Sequence, residues 1–338
     1  MVTLRDVARR VGVSPKTVSR VVNEDPAVTP ETRKLVLEEI ERLNYVPNQA
    51  ARMMRTATSP VVGLMTDVVA TTPYSVDIVR GVQSGLLASG RTLLIANTEG
   101  QARIESDYWR VFRSHNVAGT IYATMFHREC TVAPQGFTKP VVLVNCFAAD
   151  GARPTILPDD EDGGYWQARH LLELGHRRIG TISLNPAIRA TGLRAAGAAR
   201  AFAEAGVSGD GLPTLPGFVG PVEVERFVAF AAAMEMLAGA DRPTAVICGN
   251  DMIAIQVYCA AARLGLAIPD DLSVIGYDDL AMFALSLYPN LTTVRLPYFE
   301  MGRVAVDLIE PAARALAPGE PVLVPCPLVV RDSCRPPV

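Results

Sequence analysis

The chain has 338 residues, 49% of them hydrophobic, which allows large buried cores and predicts two or three domains. Its formal net charge of −3 is divided unevenly, because residues 1–60 carry 10 Lys and Arg against 7 Asp and Glu, whereas the rest carries 22 against 28. A basic head on an acidic body suits a protein that binds nucleic acid.

Several classes of protein are excluded by what the sequence lacks. The first ten positions contain charged residues and no apolar run of a secretory signal, and no later segment approaches the length of a membrane span. The six cysteines form no C-x-x-C pair, and no His lies at ligand spacing. We therefore expect a protein of the reducing cytoplasm, with no metal, no cofactor and no membrane partner.

The first predicted elements are two short helices joined by a tight turn within residues 3–23. Thr3 can cap the first helix with Asp6 three residues later, and apolar residues then recur at the spacing of one helical face. Gly12 can end this helix in a left-handed conformation, and Ser14 followed by Pro15 can start the second. This pattern indicates a helix-turn-helix.

The outward face of the second helix is polar. Three valines, Val18, Val21 and Val22, are expected to face inward, whereas the opposite face carries Pro15, Lys16, Ser19 and Arg20, with Thr17 at its edge. A short exposed helix of this kind fits the major groove of DNA, where Arg and Lys read guanine edges. An ordinary αα-hairpin whose polar face meets water is the alternative that periodicity leaves open.

A third helix is predicted to begin at Thr29 and Pro30 and to end at Asn44, with a buried stripe of Val36, Leu37, Ile40 and Leu43. Three such helices make a domain of about fifty residues, which is marginal alone. The next segment, NQAARMMR at residues 48–55, is too short to hold as an isolated helix. It is expected to fold only against another surface, unless it is a plain linker.

From residue 61 the sequence alternates between short apolar runs and helical patterns, which implies two parallel sheets covered on both faces. Ligands of such sheets bind beyond the carboxyl ends of the strands. The polar candidates at those ends are Asp67, Asn145, Asp162, Asn250, Asp251, Asp278 and Asp279, with Arg194 early in a following helix; Tyr74, Phe147 and Tyr277 could stack on a sugar. Capping of the next helix is the alternative for each Asp or Asn.

These residues resemble the lactose-repressor (LacI/GalR) family of bacterial transcription regulators over almost the whole chain. The similarity rests on the head, VTLRDVARRVGVSPKTVSRVVN followed by VTPETRKLVLEEIERLNYVPN, and on the body motifs DDEDGGYWQARHLLELGHRRIG, AVICGNDMIAI, LGLAIPDDLSVIGYDDL and LTTVRLP. It implies an N-terminal all-α helix-turn-helix head and an α/β two-lobed, periplasmic-binding-protein-like effector domain with parallel sheets.

The resemblance also implies domain boundaries. The DNA-binding domain would span residues 1–47, a hinge helix and linker 48–59, and an effector-binding and dimerisation domain 60–338. Within that last domain, lobe one would take residues 60–158 and 294–320, and lobe two residues 159–292 and 321–338.

Site residues follow from the same resemblance. Base contacts fall on Pro15, Lys16 and Arg20, and DNA-backbone contacts fall on Ser14, Thr17, Asn23, Thr29, Thr32, Tyr45 and Asn48. Ser19 of the outward face and Ala51 and Met54 of the hinge complete the DNA-binding set; Met54 replaces the usual Leu that wedges into the minor groove. Effector contacts fall on Tyr74, Asp162, Arg194, Asn250 and Asp278.

Three stretches depart from the family pattern. The first-lobe loop reads Thr72, Pro73, Tyr74, Ser75 where the family often has Asn-Pro-Phe-Phe, and Leu296 takes a position that is polar in some members. Residues 207–226 have no clear counterpart in the family, and Phe218 is the candidate for their aromatic contact. These departures leave the identity of the ligand open.

The implied function is a sequence-specific repressor whose affinity for double-stranded operator DNA is controlled by a small polar effector, a sugar or sugar derivative. A homodimer on a pseudo-palindromic operator is expected, and no apolar heptad repeat follows the last strand to make a tetramer. A solute receptor with the same body is opposed by the head and by the missing signal. A sugar-processing enzyme would need an acid–base or nucleophile pair, which the sequence does not offer.

Overall fold

A computed structural model of the chain describes residues 2–22, 25–45, 59–73, 75–132, 136–209, 212–309 and 320–338. Two compact units are distinguished, a head of residues 1–60 and a body of residues 61–338. Five of the expected contact residues, Asn23, Asn48, Ala51, Met54 and Tyr74, lie outside the described residues, as does most of the expected hinge. None of the described helices has both the length and the apolar content that a bilayer crossing requires.

The head contains three helices, α1 (Leu4–Val11), α2 (Pro15–Val22) and α3 (Pro30–Arg42). The expected capping is confirmed: the Asp6 carboxylate accepts hydrogen bonds from the Thr3 backbone N–H at 2.9 Å and the Thr3 hydroxyl at 2.6 Å. Gly12 ends α1 at a φ of +74°, and the Ser14 hydroxyl accepts from the Thr17 backbone N–H at 3.1 Å. Buried residues of all three helices, with Tyr45, form one small core.

The first lobe is built on a parallel six-stranded sheet. Its strands are β1 (Val61–Thr66), β2 (Thr92–Asn97), β3 (Thr120–Glu129), β4 (Val141–Phe147), β5 (Thr155–Pro158) and β13 (Val322–Val324), in the order β13-β5-β4-β3-β1-β2. The helices of this lobe are α4 (Val76–Ala88), α5 (Ala102–Ser114) and α11 (Tyr298–Ile309). The strand interiors are buried apolar residues, which agrees with a sheet covered on both faces.

The second lobe repeats this plan with a sheet of order β14-β12-β11-β10-β6-β7. Its strands are β6 (Ile179–Ser183), β7 (Thr214–Pro216), β10 (Ala245–Cys248), β11 (Ser273–Asp278), β12 (Thr292–Arg295) and β14 (Leu328–Val329), of which β14 alone among these described strands pairs antiparallel. Its helices are α6 (Asp160–Glu173), α7 (Arg189–Glu204), α8 (Ala229–Leu237), α9 (Asp251–Leu264) and the short α10 (Ala281–Ala284). A separate hairpin consists of β8 (Phe218–Val219) and β9 (Arg226–Phe227).

The boundary between the lobes differs from the one expected near its end. β12 belongs to the second sheet, whereas β13 pairs in parallel with β5 of the first sheet. The chain therefore crosses between lobes after β5, after β12 and after β13. Residues 294–295 and 321–324 thus change lobes relative to the expected division, because strands of three or four residues carry no periodicity that tells which sheet they join.

Glycines allow the helix pair α6 and α7 to pack backbone against backbone. A Cβ atom at Gly164 would overlap the backbone of Arg194, and one at Gly197 would overlap the carbonyl oxygen of Glu161. Gly192 lies on the same helix as Gly197, but a Cβ atom there would meet no atom within 4 Å. The position of Arg194 therefore depends on a helix contact that admits no side chain.

The two α7 glycines make a matched pair of variants. We expect Gly197→Ala to lower the free energy of unfolding by at least about 1–3 kcal/mol, because the helices must separate. Gly192→Ala is expected to leave stability unchanged or to raise it by up to about 1 kcal/mol through helix propensity. Urea unfolding followed by circular dichroism measures both, and equal midpoints for the two variants would contradict the close packing.

Candidate functional site

The carboxyl ends of both sheets border a cavity of about 260 Å³ between the two lobes of the body. This cavity is called the cleft below. Polar side chains from both lobes line it, namely Ser75, His127, Asn145, Asp160, Arg194, Glu225, Asn250, Asp278 and Tyr298. Apolar side chains cover the remaining wall, among them Met125, Phe126, Phe218, Met252 and Leu296. A few polar groups on an apolar wall are typical of a small-molecule site.

Three of the expected effector contacts, Arg194, Asn250 and Asp278, are brought together in the cleft. Asn250 caps α9, because its side-chain oxygen accepts a hydrogen bond from the Ile253 backbone N–H at 2.9 Å. The amide nitrogen of the same side chain can therefore still donate to a ligand. Capping and ligand binding, which the sequence left as alternatives, are compatible at this position.

Arg194 is held by three contacts within the second lobe. Its Nε donates to Asp160 Oδ1 at 2.8 Å, its Nη1 donates to the Gly249 carbonyl oxygen at 2.7 Å, and its guanidinium lies 3.5 Å from the centroid of the Tyr277 ring. Its side chain is 11% exposed. Because these contacts use Nε and Nη1, the Nη2 amino group is the part of Arg194 that can bind a ligand. Tyr277 is fully buried beneath it and cannot stack on a sugar.

Asp160 joins the two lobes at the bottom of the cleft. One carboxylate oxygen accepts from Arg194, and the other lies 3.6 Å from Nδ1 of His127 on β3. Burial favours the protonated carboxyl, but the adjacent Arg194 guanidinium and His127 outweigh it and hold the pKa of Asp160 below its usual value. Asp160 is therefore a buried carboxylate, and it was not among the residues singled out from the sequence.

Asp162 does not lie with the other expected effector contacts. It is half-exposed, and its carboxylate accepts hydrogen bonds from Trp166 Nε1 at 2.9 Å and from Arg200 Nη2 at 3.3 Å. The physical reason is helix phase: α6 begins at Asp160, and residues two apart on a helix point to nearly opposite sides. Asp162 instead lines a neighbouring groove of about 620 Å³ together with Phe147 and Arg189.

The turn after β11 positions Asp278 with a strained backbone. Asp278 and Asp279 have φ angles of +112° and +56°, which are uncommon for residues other than glycine. Asp279 is paired with Arg331 at 2.5 Å, and buried Asp251 accepts from the Leu280 backbone N–H at 2.9 Å. Desolvation and the neighbouring carboxylates raise the pKa of Asp278 well above its usual value despite Arg194.

In the first lobe, two of the polar candidates at the strand ends, Asp67 and Asn145, hold a bulge of β3, and Asn145 also lines the cleft. Asp67 accepts from the Met125 backbone N–H at 3.1 Å, and Asn145 Nδ2 donates to the carbonyl oxygens of Thr124 and Met125 at 3.0 and 2.9 Å. The pairing of β3 with β4 shifts register between Ala123 and Arg128, which turns the intervening residues toward the cleft. Asp67 and Asn145 thus hold the bulge that presents His127.

In the head, the outward face of α2 agrees with the sequence expectation. Pro15, Lys16 and Arg20 are exposed, Thr17 and Ser19 are half-buried, and Arg20 Nε lies 3.5 Å from Asp25 Oδ2. Ser14 and Thr29 cap α2 and α3, and their hydroxyls hydrogen-bond to those of Thr17 and Thr32 at 2.9 and 3.0 Å. Tyr45 is 9% exposed, so its ring belongs to the core of the head. Helix N-termini of this kind suit phosphate groups.

No metal centre accompanies these sites in the part of the chain that the structure describes, where no three His, Cys, Asp or Glu side chains are grouped to hold an ion. The described cysteines are all free thiols.

Two family models match the chain. Residues 3–48 match the model described as bacterial regulatory proteins, lacI family, and residues 168–334 match a periplasmic binding protein-like domain. The sucrose operon repressor of Escherichia coli is 34% identical over 341 residues, covering 98% of this chain and 100% of the relative.

Solved structures agree with these matches. A protein from Rhizobium etli, described as a putative transcriptional regulator of the LacI family, is 42% identical to this chain. The match covers 82% of this chain and 99% of the Rhizobium etli chain, with a TM-score of 0.76. The lac repressor dimer bound to operator and the anti-inducer ONPF is 26% identical, with 99% of each chain covered and a TM-score of 0.76. The regulator CelR in complex with cellobiose is 26% identical, covers 98% of this chain and 100% of its own, and has a TM-score of 0.63.

Asp251 beneath the cleft generates a pH-dependent prediction. Desolvation raises the pKa of Asp251 to about 7, although the Thr293 hydroxyl and the Leu280 N–H both donate to it. The folded chain thus binds one proton more than the unfolded chain between about pH 4 and pH 7, so this contribution favours folding at low pH and is lost as the pH rises.

The Asp251→Asn variant removes that titration. We expect it to gain about 1.4 kcal/mol of stability relative to the parent for each pH unit between 5 and about 7, where Asp251 of the folded parent loses its proton, and little more between pH 7 and 8. Unfolding midpoints across this range measure the difference, with exposed Asp307→Asn as the control. For each variant, the difference in stability from the parent is plotted against pH. If this difference depended on pH no more for Asp251→Asn than for Asp307→Asn, the raised pKa of Asp251 would be contradicted.

Proposed function

Since this chain belongs to the lacI family of bacterial regulatory proteins and is a transcriptional repressor controlled by a small effector, we propose that this effector is a sugar bound in the cleft between the lobes. The single observation that carries the proposal is the convergence of Arg194, Asn250 and Asp278 on one cavity between the lobes. These side chains offer both donors and acceptors to the hydroxyl groups of a ligand.

The volume of the cleft suits a ligand of the size of one or two sugar rings. Its volume of about 260 Å³ lies just below the usual range for drug-sized ligands. Polar atoms of Arg194 and Asn250 can meet the hydroxyls of a sugar, while Phe126 and Phe218 can cover its carbon-bound hydrogens. The sucrose operon repressor and the CelR–cellobiose complex are relatives whose names involve sugars.

For the head, we propose that α2 reads the major groove of operator DNA. Lys16 and Arg20 would contact bases, with Pro15 and Ser19 beside them, and Ser14, Thr17, Thr29 and Thr32 would contact phosphates. Tyr45 would contribute mainly by packing, and Asn23, Asn48, Ala51 and Met54 stay predictions. The lac repressor is a dimer on its operator, and we propose a cytoplasmic homodimer on two half-sites for this chain as well.

Effector and DNA would be linked through the lobe angle. A sugar that touches His127 or Tyr298 on one side and Arg194 on the other would favour one arrangement of the lobes. It can shift DNA binding only by its differential affinity for the two arrangements, typically about 1–3 kcal/mol, and operator must change sugar affinity by the same factor. Binding without turnover is part of the proposal, so a bound sugar should be recovered chemically unchanged.

The DNA-reading role of α2 can be tested with Lys16→Ala and Arg20→Ala. After the operator is selected from random DNA, each variant should lose about 1–3 kcal/mol of operator affinity, with a smaller loss on random DNA. Fluorescence anisotropy measures both affinities. Lys34→Ala, which removes an exposed lysine of α3, is the control. Equal losses on operator and random DNA would show that Lys16 and Arg20 touch phosphates only.

The cleft can be tested with Asn250→Asp. An aspartate can still accept the Ile253 N–H and cap α9, but it cannot donate to a ligand hydroxyl. We therefore expect an unchanged melting temperature and at least a tenfold loss of affinity for whichever sugar of a panel binds the parent, measured by calorimetry. Basal operator binding should persist. Undiminished sugar affinity in this variant would place the effector site elsewhere.

A further inference from the structure

The β8–β9 hairpin places a carboxylate at the cleft that the resemblance to the family did not foresee. The ring centroids of Phe218 and Phe227 lie 4.7 Å apart across the two strands of the hairpin. The Gly217 backbone N–H, just before the hairpin, donates to the Ser183 carbonyl oxygen of β6 at 2.8 Å. Both Phe218 and Glu225 line the cleft.

Glu225 is held in place by a neutral side chain. Asn185, which is 3% exposed, donates from Nδ2 to Glu225 Oε2 at 2.8 Å and to the Gly220 carbonyl oxygen at 2.9 Å. The Asn185 side-chain oxygen is itself fixed by the Ala187 backbone N–H at 3.0 Å. No Lys or Arg of the described residues forms an ion pair with Glu225. Its position is therefore fixed, while its negative charge stays uncompensated and Oε1 remains available.

The other charged groups of the cleft do not offset this charge. Arg194 is the guanidinium among the described lining residues, and it is paired with Asp160 at 2.8 Å. Asp278 adds a third carboxyl group to the lining; desolvation first, and the Asp251 and Asp160 carboxylates second, raise its pKa. His127 also lines the cleft, with its Nδ1 3.6 Å from Asp160 Oδ2. Arg194 and His127 thus both lie beside Asp160, and neither forms an ion pair with Glu225 among the described residues.

From this arrangement we propose that Glu225 makes the cleft selective against acidic ligands, so that the effector is a polyhydroxylated molecule without a phosphate or carboxylate group. A hydroxyl can donate to Glu225 Oε1 or to Asp278 and accept from Arg194 Nη2 or Asn250. A phosphate or carboxylate would instead meet the fixed Glu225 carboxylate, while Arg194 and His127 already lie beside Asp160, and like-charge juxtaposition is strongly unfavourable in such a site. This inference rests on the proposed function, since it specifies the chemical class of the sugar.

The experiment compares one sugar in several charge states. Calorimetry and thermal shift with a panel of neutral monosaccharides and disaccharides identify a binding sugar, and its phosphate or uronate and its amino derivative are then measured. We expect the acidic derivatives to bind at least tenfold more weakly than the neutral parent, and the amino derivative to bind at least as well as those acidic forms.

Two matched variants separate the cleft from the overall charge. Glu225→Gln keeps the side-chain length and an acceptor for Asn185, and it should raise the affinity ratio of acidic to neutral derivative at least tenfold. Glu235→Gln removes the same charge from the exposed face of α8 and should leave the ratio unchanged.

The outcomes distinguish this inference from the broader proposal. An acidic derivative that binds the parent protein as tightly as the neutral sugar would overturn the charge selectivity while leaving the sugar effector intact. The same conclusion would follow if Glu225→Gln and Glu235→Gln changed the ratio equally. If no member of the panel bound, the sugar effector itself would be refuted, and the selectivity with it.

Discussion

The buried ion pair between Asp160 and Arg194 is the interaction on which the cleft depends. Asp160 begins α6 and Arg194 belongs to α7, so the pair joins two helices that already pack backbone against backbone at Gly164 and Gly197. Neither charge would be stable there without the other, because a buried charge that loses its partner costs about 3–5 kcal/mol. The ion pair thereby fixes the direction in which the Arg194 Nη2 amino group can donate to a ligand. The close packing of α6 against α7, which lies outside the cleft, holds the two partners together.

The same carboxylate marks where the lobes meet. Asp160 Oδ2 and both ring nitrogens of His127 are buried and have no hydrogen-bond partner among the described residues. Polar atoms left in this state are costly to bury. The change of lobe angle proposed above would therefore break no hydrogen bond of these atoms.

Features that depend on residues close in sequence could be predicted, whereas features that depend on residues far apart in sequence could not. The caps at Thr3, Gly12 and Ser14 are local, and each was confirmed, as were the apolar cores of the parallel strands. Asp162 lies two residues after Asp160 on α6 and therefore points away from the cleft. A sequence motif does not specify which side of a helix faces a ligand. The bulge that presents His127 and the hairpin that carries Glu225 had no sequence signal, because each depends on pairing with distant residues such as Asn145 and Asn185.

The late crossings between the lobes have a consequence for synthesis of the chain. Residues 320–338 complete one edge of each sheet, since β13 covers β5 in the first lobe and β14 covers β12 in the second. Until this last segment leaves the ribosome, both lobes carry an unpaired strand at an edge, which is a template for association with other chains. A premature stop codon near residue 320 would therefore remove an edge strand from both lobes at once.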